Sequence, residues 1–135
     1  MSAFLDTNVL LYADDADGGA KTEIARNLVR QCVAERSGVV STQILQEYYV
    51  NARKKLKLGG AAARARVDIY AALDVVTITT ELVLAAIDRH QRDTVSFWDA
   101  LVVTAAERAA CEVLWSEDLQ DGRRFGDVVV RNPFA

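Results

Sequence analysis

The chain has 135 residues, of which 51% are hydrophobic and 26% are charged, and its formal net charge is −3. This length predicts a single domain, residues 1–135, and the composition is typical of a globular protein rather than a disordered one. The net charge gives no sign of bulk nucleic-acid binding, and no apolar run approaches the ~18 residues that a membrane-spanning helix needs.

Short apolar strands are predicted to alternate with helices along the chain. The predicted strands are residues 3–5, 39–40, 75–78, 112–115 and 128–130. The predicted helices are residues 9–12, 21–36, 44–56, 61–73, 81–92 and 97–110. Because the strands are apolar without polar alternation, they are expected to form a parallel sheet with helices on both faces.

Capping residues and glycines mark where the predicted helices begin and end. Ser41 or Thr42 is expected to cap the third helix, Thr80 the fifth and Ser96 the sixth. The pair Gly59-Gly60 separates the third helix from the fourth.

The two cysteines, Cys32 and Cys111, lie far apart in the sequence and form no CxxC pair. Both lie in or beside apolar helical patterns, which is typical of buried free thiols in a reducing compartment. No secretory signal peptide is recognisable at the start of the sequence. We therefore expect a cytoplasmic protein.

Four acidic residues are predicted to lie near one edge of the sheet or on the helices beside it. Asp6 ends the first strand and Asp118 follows the fourth, and ligands of such folds bind at the carboxyl ends of the strands. Glu47 lies on the helix after the second strand, and Asp99 begins an otherwise apolar helix. Structural interpretations remain open at this point: Asp6 and Asp118 as caps or loop acids, Asp99 in a capping box, Glu47 as an exposed residue.

A carboxylate cluster without histidine or cysteine is the ligand set that Mg²⁺ or Mn²⁺ prefers. Several acids in one pocket repel one another unless cations lie between them. His90 is the only histidine, which excludes a two-histidine ribonuclease mechanism and disfavours a zinc site. No P-loop or GxGxxG motif is present to bind a nucleotide cofactor.

Positive charge is concentrated in residues 53–66, which carry six bases and no acid. This segment is either a solvated helix end or a rim that contacts phosphates. The candidate phosphate contacts are Arg53, Lys54, Lys55 and Lys57. Trp98 is interpreted mainly as a core or dimer residue, with base stacking as the alternative.

Four segments resemble the successive motifs of PIN domains, in the order in which that family has them. They are Phe4-Leu5-Asp6-Thr7-Asn8, Gln46-Glu47, Ser96-Phe97-Trp98-Asp99 and Ser116-Glu117-Asp118. The resemblance covers essentially the whole chain and is closest to the VapC-like toxins of type II toxin–antitoxin systems. It implies a three-layer α/β/α fold whose parallel sheet of about five strands has the order 3-2-1-4-5.

The same resemblance implies the functional residues. Asp6, Glu47, Asp99 and Asp118 fall on the family's four catalytic, metal-binding acids, and Asn8 and Ser116 fall on positions that support the first and last of them. Many family members have threonine where this chain has Ser116, and both residues supply a hydroxyl.

The implied activity is that of an Mg²⁺- or Mn²⁺-dependent endoribonuclease, a homodimer inhibited by a cognate VapB-like antitoxin. In the expected mechanism, bound metal lowers the pKa of the water that attacks the RNA phosphodiester. The main alternative is a non-catalytic PIN-like module that binds RNA or protein. A DNA or flap nuclease is a second alternative, although such relatives carry longer insertions.

Overall fold

The computed structural model describes residues 1–135 as six strands and six helices. The strands are β1 (Ala3–Leu5), β2 (Gly38–Ser41), β3 (Asp74–Val76), β4 (Val113–Trp115), β5 (Arg124–Phe125) and β6 (Val128–Arg131). The helices are α1 (Thr7–Asp14), α2 (Ala20–Ala34), α3 (Thr42–Lys54), α4 (Gly60–Tyr70), α5 (Thr80–Arg92) and α6 (Phe97–Arg108). None of these helices has the length and apolar character that crossing a membrane requires.

The strands form one sheet in the order β3-β2-β1-β4-β6-β5, between helical layers. All neighbours pair in parallel except β5, which lies antiparallel to β6 at the edge. The predicted order of the five parallel strands is confirmed, since β6 is the fifth strand of the prediction. Strand β5 was not predicted because its two residues are too short to show a period.

The centre of the sheet is buried on both faces. All three residues of β1 are buried, and the stretch of α6 from Ala100 to Ala106 is buried as well. The order of the strands reverses at β1, whose Leu5 lies in register with Trp115 of β4. The residues after these two strands are therefore neighbours at the carboxyl edge of the sheet.

Most of the predicted boundaries are close to those in the structure. The Ser41 hydroxyl accepts a hydrogen bond from the Ile44 N–H, and Ser96 accepts one from the Asp99 N–H, so both act as helix caps. The prediction of Thr80 as a cap was wrong by one residue. Thr79 has the extended backbone of an N-cap and accepts from the Leu82 N–H at 3.2 Å, while Thr80 is already helical.

Both cysteines are free and buried, as predicted. Burial raises the pKa of the Cys111 thiol to about 12 and also raises the pKa of Cys32. Thiols in such surroundings stay protonated and behave as small apolar side chains.

Candidate active site

The predicted acids come together at the carboxyl edge of the sheet. Asp6 follows β1 directly, Asp118 lies in the loop after β4, Glu47 lies on α3, and Asp99 lies in the first turn of α6. All four line a single cavity of about 350 Å³. The cavity is also lined by Thr7, Asn8, Gln43, Asn51, Lys55, Trp98 and Val102.

Asp6 is the most buried of these acids, with 6% of its surface exposed. Its Oδ1 accepts a hydrogen bond from the Thr7 N–H at 2.8 Å, and its Oδ2 accepts one from the Ser116 hydroxyl at 2.8 Å. Burial raises the pKa of Asp6 to about 6, and repulsion from Asp118 and Glu47 contributes to this rise against the effect of the hydrogen bonds. Asp6 is the N-cap of α1. Its charged form is disfavoured by burial and by neighbouring acids, and a cation would stabilise it.

Ser116 and Asn8, predicted as supporting residues, orient the two acids at the strand ends. The Ser116 hydroxyl donates to Asp6 and accepts from the backbone N–H groups of Asp118, at 3.2 Å, and Leu119, at 3.3 Å. The Asn8 amide donates to Asp118 Oδ2 at 2.9 Å. The acids after β1 and β4 are therefore held in one hydrogen-bonded unit.

Asp118 is exposed at the rim of the cavity, whereas Asp6 is buried. Partial desolvation is the main cause that raises the pKa of Asp118, followed by repulsion from Asp99 and Glu117. Attraction to Lys55 and the hydrogen bond from Asn8 oppose this rise. The acids are thus close enough to repel one another within the cavity.

Glu47 and Asp99 differ in how their carboxylates are held. Glu47 Oε1 accepts a hydrogen bond from the Thr7 hydroxyl at 2.9 Å. The Asp99 N–H donates to the Ser96 hydroxyl, but the Asp99 carboxylate makes no return hydrogen bond and no ion pair. The predicted capping box is therefore only half formed, and the Asp99 carboxylate remains free at the cavity.

The donor chemistry of the cavity suits a hard divalent cation, because it offers carboxylate and amide oxygens and no histidine or cysteine. No group of three such acids is close enough to enclose an ion in the present side-chain positions. Three of the carboxylates accept hydrogen bonds, from Ser116, Asn8 and Thr7, in these positions. An ion would have to draw the carboxylates inward.

Only one of the four predicted phosphate contacts lies in the cavity. Lys55, directly after α3, lines it and also lines an adjoining crevice of about 150 Å³ that shares Asn8. Arg53, Lys54 and Lys57 are exposed but do not line the cavity.

Trp98 lies at the cavity with 63% of its surface exposed. The interpretation of Trp98 as a core residue was therefore wrong, and its alternative role at a dimer interface stays a prediction. As the second residue of α6, it projects away from the buried face of the helix, which begins at Ala100.

The sequence reasoning did not single out Thr7, Gln43 or Asn51, which also line the cavity. Gln43 and Asn51 lie one helical turn before and after Glu47, so they share its face of α3. That four-residue spacing on either side of Glu47 is the signal in the sequence that could have identified both residues.

A second polar cluster, also not predicted, joins α1, α3 and α4. The hydroxyls of Tyr48 and Tyr70 donate to Asp14 Oδ2 at 2.6 and 2.7 Å, and Arg66 forms an ion pair with Asp14 Oδ1 at 2.8 Å. Burial, followed by the negative charge of Asp14, raises the pKa of both tyrosines. We call these four residues the Asp14 cluster.

The fold and the cavity define an α/β domain with an acidic pocket where the strand order of a parallel sheet reverses. The sequence model of the PIN domain family matches residues 3–125, so the chain belongs to the PIN domain family. A search of curated protein sequences finds no significant match.

Several solved structures share this fold. The chain is 22% identical to VapC20 of Mycobacterium tuberculosis, described as a sarcin–ricin loop cleaving toxin, with 87% of this chain and 90% of that chain covered and a TM-score of 0.66. It is 18% identical to a chain of the DNA-bound VapBC of Salmonella typhimurium, with 98% of each chain covered and a TM-score of 0.69. A toxin–antitoxin complex from Klebsiella pneumoniae gives 20% identity, 98% coverage of each chain and a TM-score of 0.67.

Proposed function

We propose that this protein is an Mg²⁺- or Mn²⁺-dependent endoribonuclease and the toxin of a type II toxin–antitoxin pair. The observation that carries the proposal is the convergence of four carboxylates, from four separate segments, on one cavity. Desolvation, which is nearly complete for Asp6 and partial for the exposed Asp118, raises the pKa of both together with repulsion from neighbouring acids, a cost that a structural role alone does not require.

The comparisons support the same assignment. The chain has the PIN domain fold, and one protein with that fold is described as a toxin that cleaves the sarcin–ricin loop. Others belong to toxin–antitoxin complexes, which supports a VapB-like antitoxin as the partner of this chain. We extend to this chain the homodimer that its sequence resemblance implies. The exposed Tyr49 and Val50 of α3 offer apolar surface for such contacts.

In the proposed site, Asp6, Asp99 and Asp118 hold the divalent ion, and Glu47 binds it directly or through water. When bound, the ion lowers the pKa of a water molecule and offsets the negative charge that develops on the phosphate. Hydrolysis by water leaves a 5′-phosphate and a 3′-hydroxyl.

The surrounding side chains orient these acids and the RNA. Ser116 fixes Asp6, Asn8 fixes Asp118, and Thr7 fixes Glu47 through the hydrogen bonds described above. Lys55 attracts the scissile phosphate to the cavity, while Arg53, Lys54 and Lys57 contact phosphates farther along the strand. The exposed ring of Trp98 stacks on a base beside the cavity.

The test is cleavage of RNA by wild type and by the Asp6→Ala and Asp99→Ala variants, with Mn²⁺, Mg²⁺ or a chelator. We expect wild type to require the metal and both variants to be inactive. Glu23→Ala, which removes an exposed acid on α2 that does not line the cavity, serves as the control. Full activity in either cavity variant contradicts the proposal, and a single-stranded DNA substrate tested in parallel measures the preference for RNA.

The non-catalytic alternative has one observation in its favour, which is the separation of the carboxylates in their present positions. Thermal denaturation with and without Mn²⁺ distinguishes the two functions, because a ligand that binds only the folded state raises its stability. Neither cleavage nor metal-dependent stabilisation is expected from a non-catalytic module.

A further inference from the structure

Gln43 has the only buried side-chain oxygen or nitrogen of the chain that lacks a hydrogen-bond partner. The residue is 6% exposed, lies in the first turn of α3, and lines the acidic cavity. The orphan atom is Oε1. Buried acceptors without a donor are rare in folded proteins because they lose the hydrogen bonds that water would supply.

The other end of the amide fixes its orientation. Gln43 Nε2 donates to the backbone carbonyl of Trp98 at 3.2 Å. Turning the amide over would place Oε1 against that carbonyl oxygen, so that two acceptors faced each other. Gln43 therefore anchors the first turn of α6, beside Asp99, and its Oε1 is necessarily the atom left without a partner.

The cavity itself supplies no donor to this oxygen. Ionised carboxylates are acceptors only, and they make up much of the lining. The Thr7 hydroxyl donates to Glu47, the Asn8 amide to Asp118 and the Asn51 amide to the Glu47 carbonyl. Lys55 also lines the cavity but makes no hydrogen bond to Gln43. The oxygen is therefore open to a donor that arrives with a ligand.

We propose that Gln43 Oε1 accepts a hydrogen bond from a water molecule in the hydration shell of the divalent ion. This inference rests on the proposed metal-dependent function. Mg²⁺ keeps several waters when carboxylates bind it, and each bound water points its hydrogens away from the ion. Gln43 Oε1 is closed to solvent in the unliganded cavity, so the amide would open toward the ion as the carboxylates gather around it. Gln43 is thus a positioning residue, which acts on the ion through water.

The experiment measures Mn²⁺ affinity by titration calorimetry in the absence of RNA, together with melting temperatures in a chelator. Gln43→Met keeps the length of the side chain but removes both polar atoms. Gln43→Glu keeps an acceptor oxygen but removes the donor to Trp98. Gln46→Met is the matched control, since it changes an exposed glutamine on the same helix.

We expect Gln43→Met to bind Mn²⁺ about 10–100-fold more weakly, as is typical when a residue beside a metal's ligands is removed. Its melting temperature in chelator should match that of Gln46→Met. The substitution removes the hydrogen bond to the Trp98 carbonyl, which lowers stability, and also removes the unpaired buried oxygen, which offsets this loss. Gln43→Glu should bind Mn²⁺ at least as tightly as wild type does.

Unchanged affinity in Gln43→Met overturns the inference. Equal weakening in Gln43→Met and Gln43→Glu also overturns it, because the lost function would then be the anchoring of Trp98. If wild type itself fails to bind Mn²⁺, the proposed function is wrong, which is a separate outcome.

Discussion

The two ends of α1 carry aspartates in opposite circumstances. Asp6, at the start of the helix, lies among other acids, and its pKa is raised to about 6. Asp14, at the end, accepts hydrogen bonds from two tyrosines and pairs with Arg66. Asp6 therefore has no positively charged partner, whereas Asp14 has one, Arg66, and two hydroxyl donors as well.

Under the proposed function, this difference distinguishes a metal-binding carboxylate from a structural one. Asp14 contributes to stability because every donor around it is matched to its oxygens. The charge of Asp6 costs stability because the residue is buried beside Asp118 and Glu47, and in the proposed function a bound cation would offset this cost. Because both residues are aspartates at the ends of one helix, the same change to asparagine can be compared at the two positions.

Asp6→Asn is expected to give the largest effect. Cleavage of RNA with Mn²⁺ should fall by more than about 100-fold, beyond the loss typical of residues that only support a metal's ligands. The melting temperature in chelator should not fall, because a buried charge beside Asp118 and Glu47 has been removed. Initial cleavage rates and thermal denaturation measure the two quantities. Activity within tenfold of wild type would show that Asp6 is not essential.

Asp14→Asn should give the reverse result. The free energy of unfolding should fall by about 2–4 kcal/mol, because Arg66 loses its counter-ion and one tyrosine hydroxyl loses its acceptor. Cleavage at a temperature where the variant is folded should stay within about twofold of wild type, because the Asp14 cluster does not line the acidic cavity. Urea unfolding gives the stability, with the exposed Asp17→Asn as control. An unchanged unfolding midpoint would remove the proposed contrast.

The Asp14 cluster should also respond to alkaline pH. The pKa of Tyr48 and of Tyr70 is raised above the ordinary value of 10, so folding opposes their ionisation. The corresponding stability is fully present below pH 10 and is lost as the pH rises further. Urea unfolding between pH 9 and 11 should show a smaller decline in the Tyr48→Phe/Tyr70→Phe variant. Both proteins contain the buried thiols, so the difference between them reports the tyrosines alone. If unfolding free energy falls equally steeply with pH in both, the tyrosines of the Asp14 cluster do not cause the decline.

Lys55→Met should give the smallest effect. RNA affinity is measured in an Asp99→Asn background, which is expected to prevent cleavage, and should fall a few-fold. The slope of log binding constant against log salt concentration should become less steep by about one. Lys54→Met, the adjacent lysine outside the cavity, is the control and should change affinity less. Equal losses in the two variants would mean that the segment contributes only diffuse positive charge.

Much of the fold could be predicted because the buried strands are unbroken apolar runs. Asp6 and Asp118 were predicted to meet because the carboxyl ends of β1 and β4 lie side by side. The strand order itself came from the family resemblance, since periodicity does not specify which strands are neighbours. Strand β5 pairs only with β6, and nothing in its two residues marks it in advance.

The rest of the site depends on distances that sequence patterns do not carry. Lys55 could not be distinguished from its basic neighbours, because its position depends on where α3 ends. The orphan oxygen of Gln43 depends on the place of one backbone carbonyl in α6. The Asp14 cluster was missed because the spacing of Tyr48 predicts a core residue on an amphipathic helix, while the sequence around Asp14 predicts a polar turn.

The exposed indole of Trp98 also gives the protein a built-in optical reporter. The chain has two tryptophans, and the other, Trp115, is partly buried in β4. Fluorescence from Trp98 should therefore be the solvent-sensitive component, quenched when a base stacks on the ring and blue-shifted when a protein partner covers it. In a Trp115→Phe background, this signal would follow the arrival of RNA or an antitoxin in real time, without an attached dye.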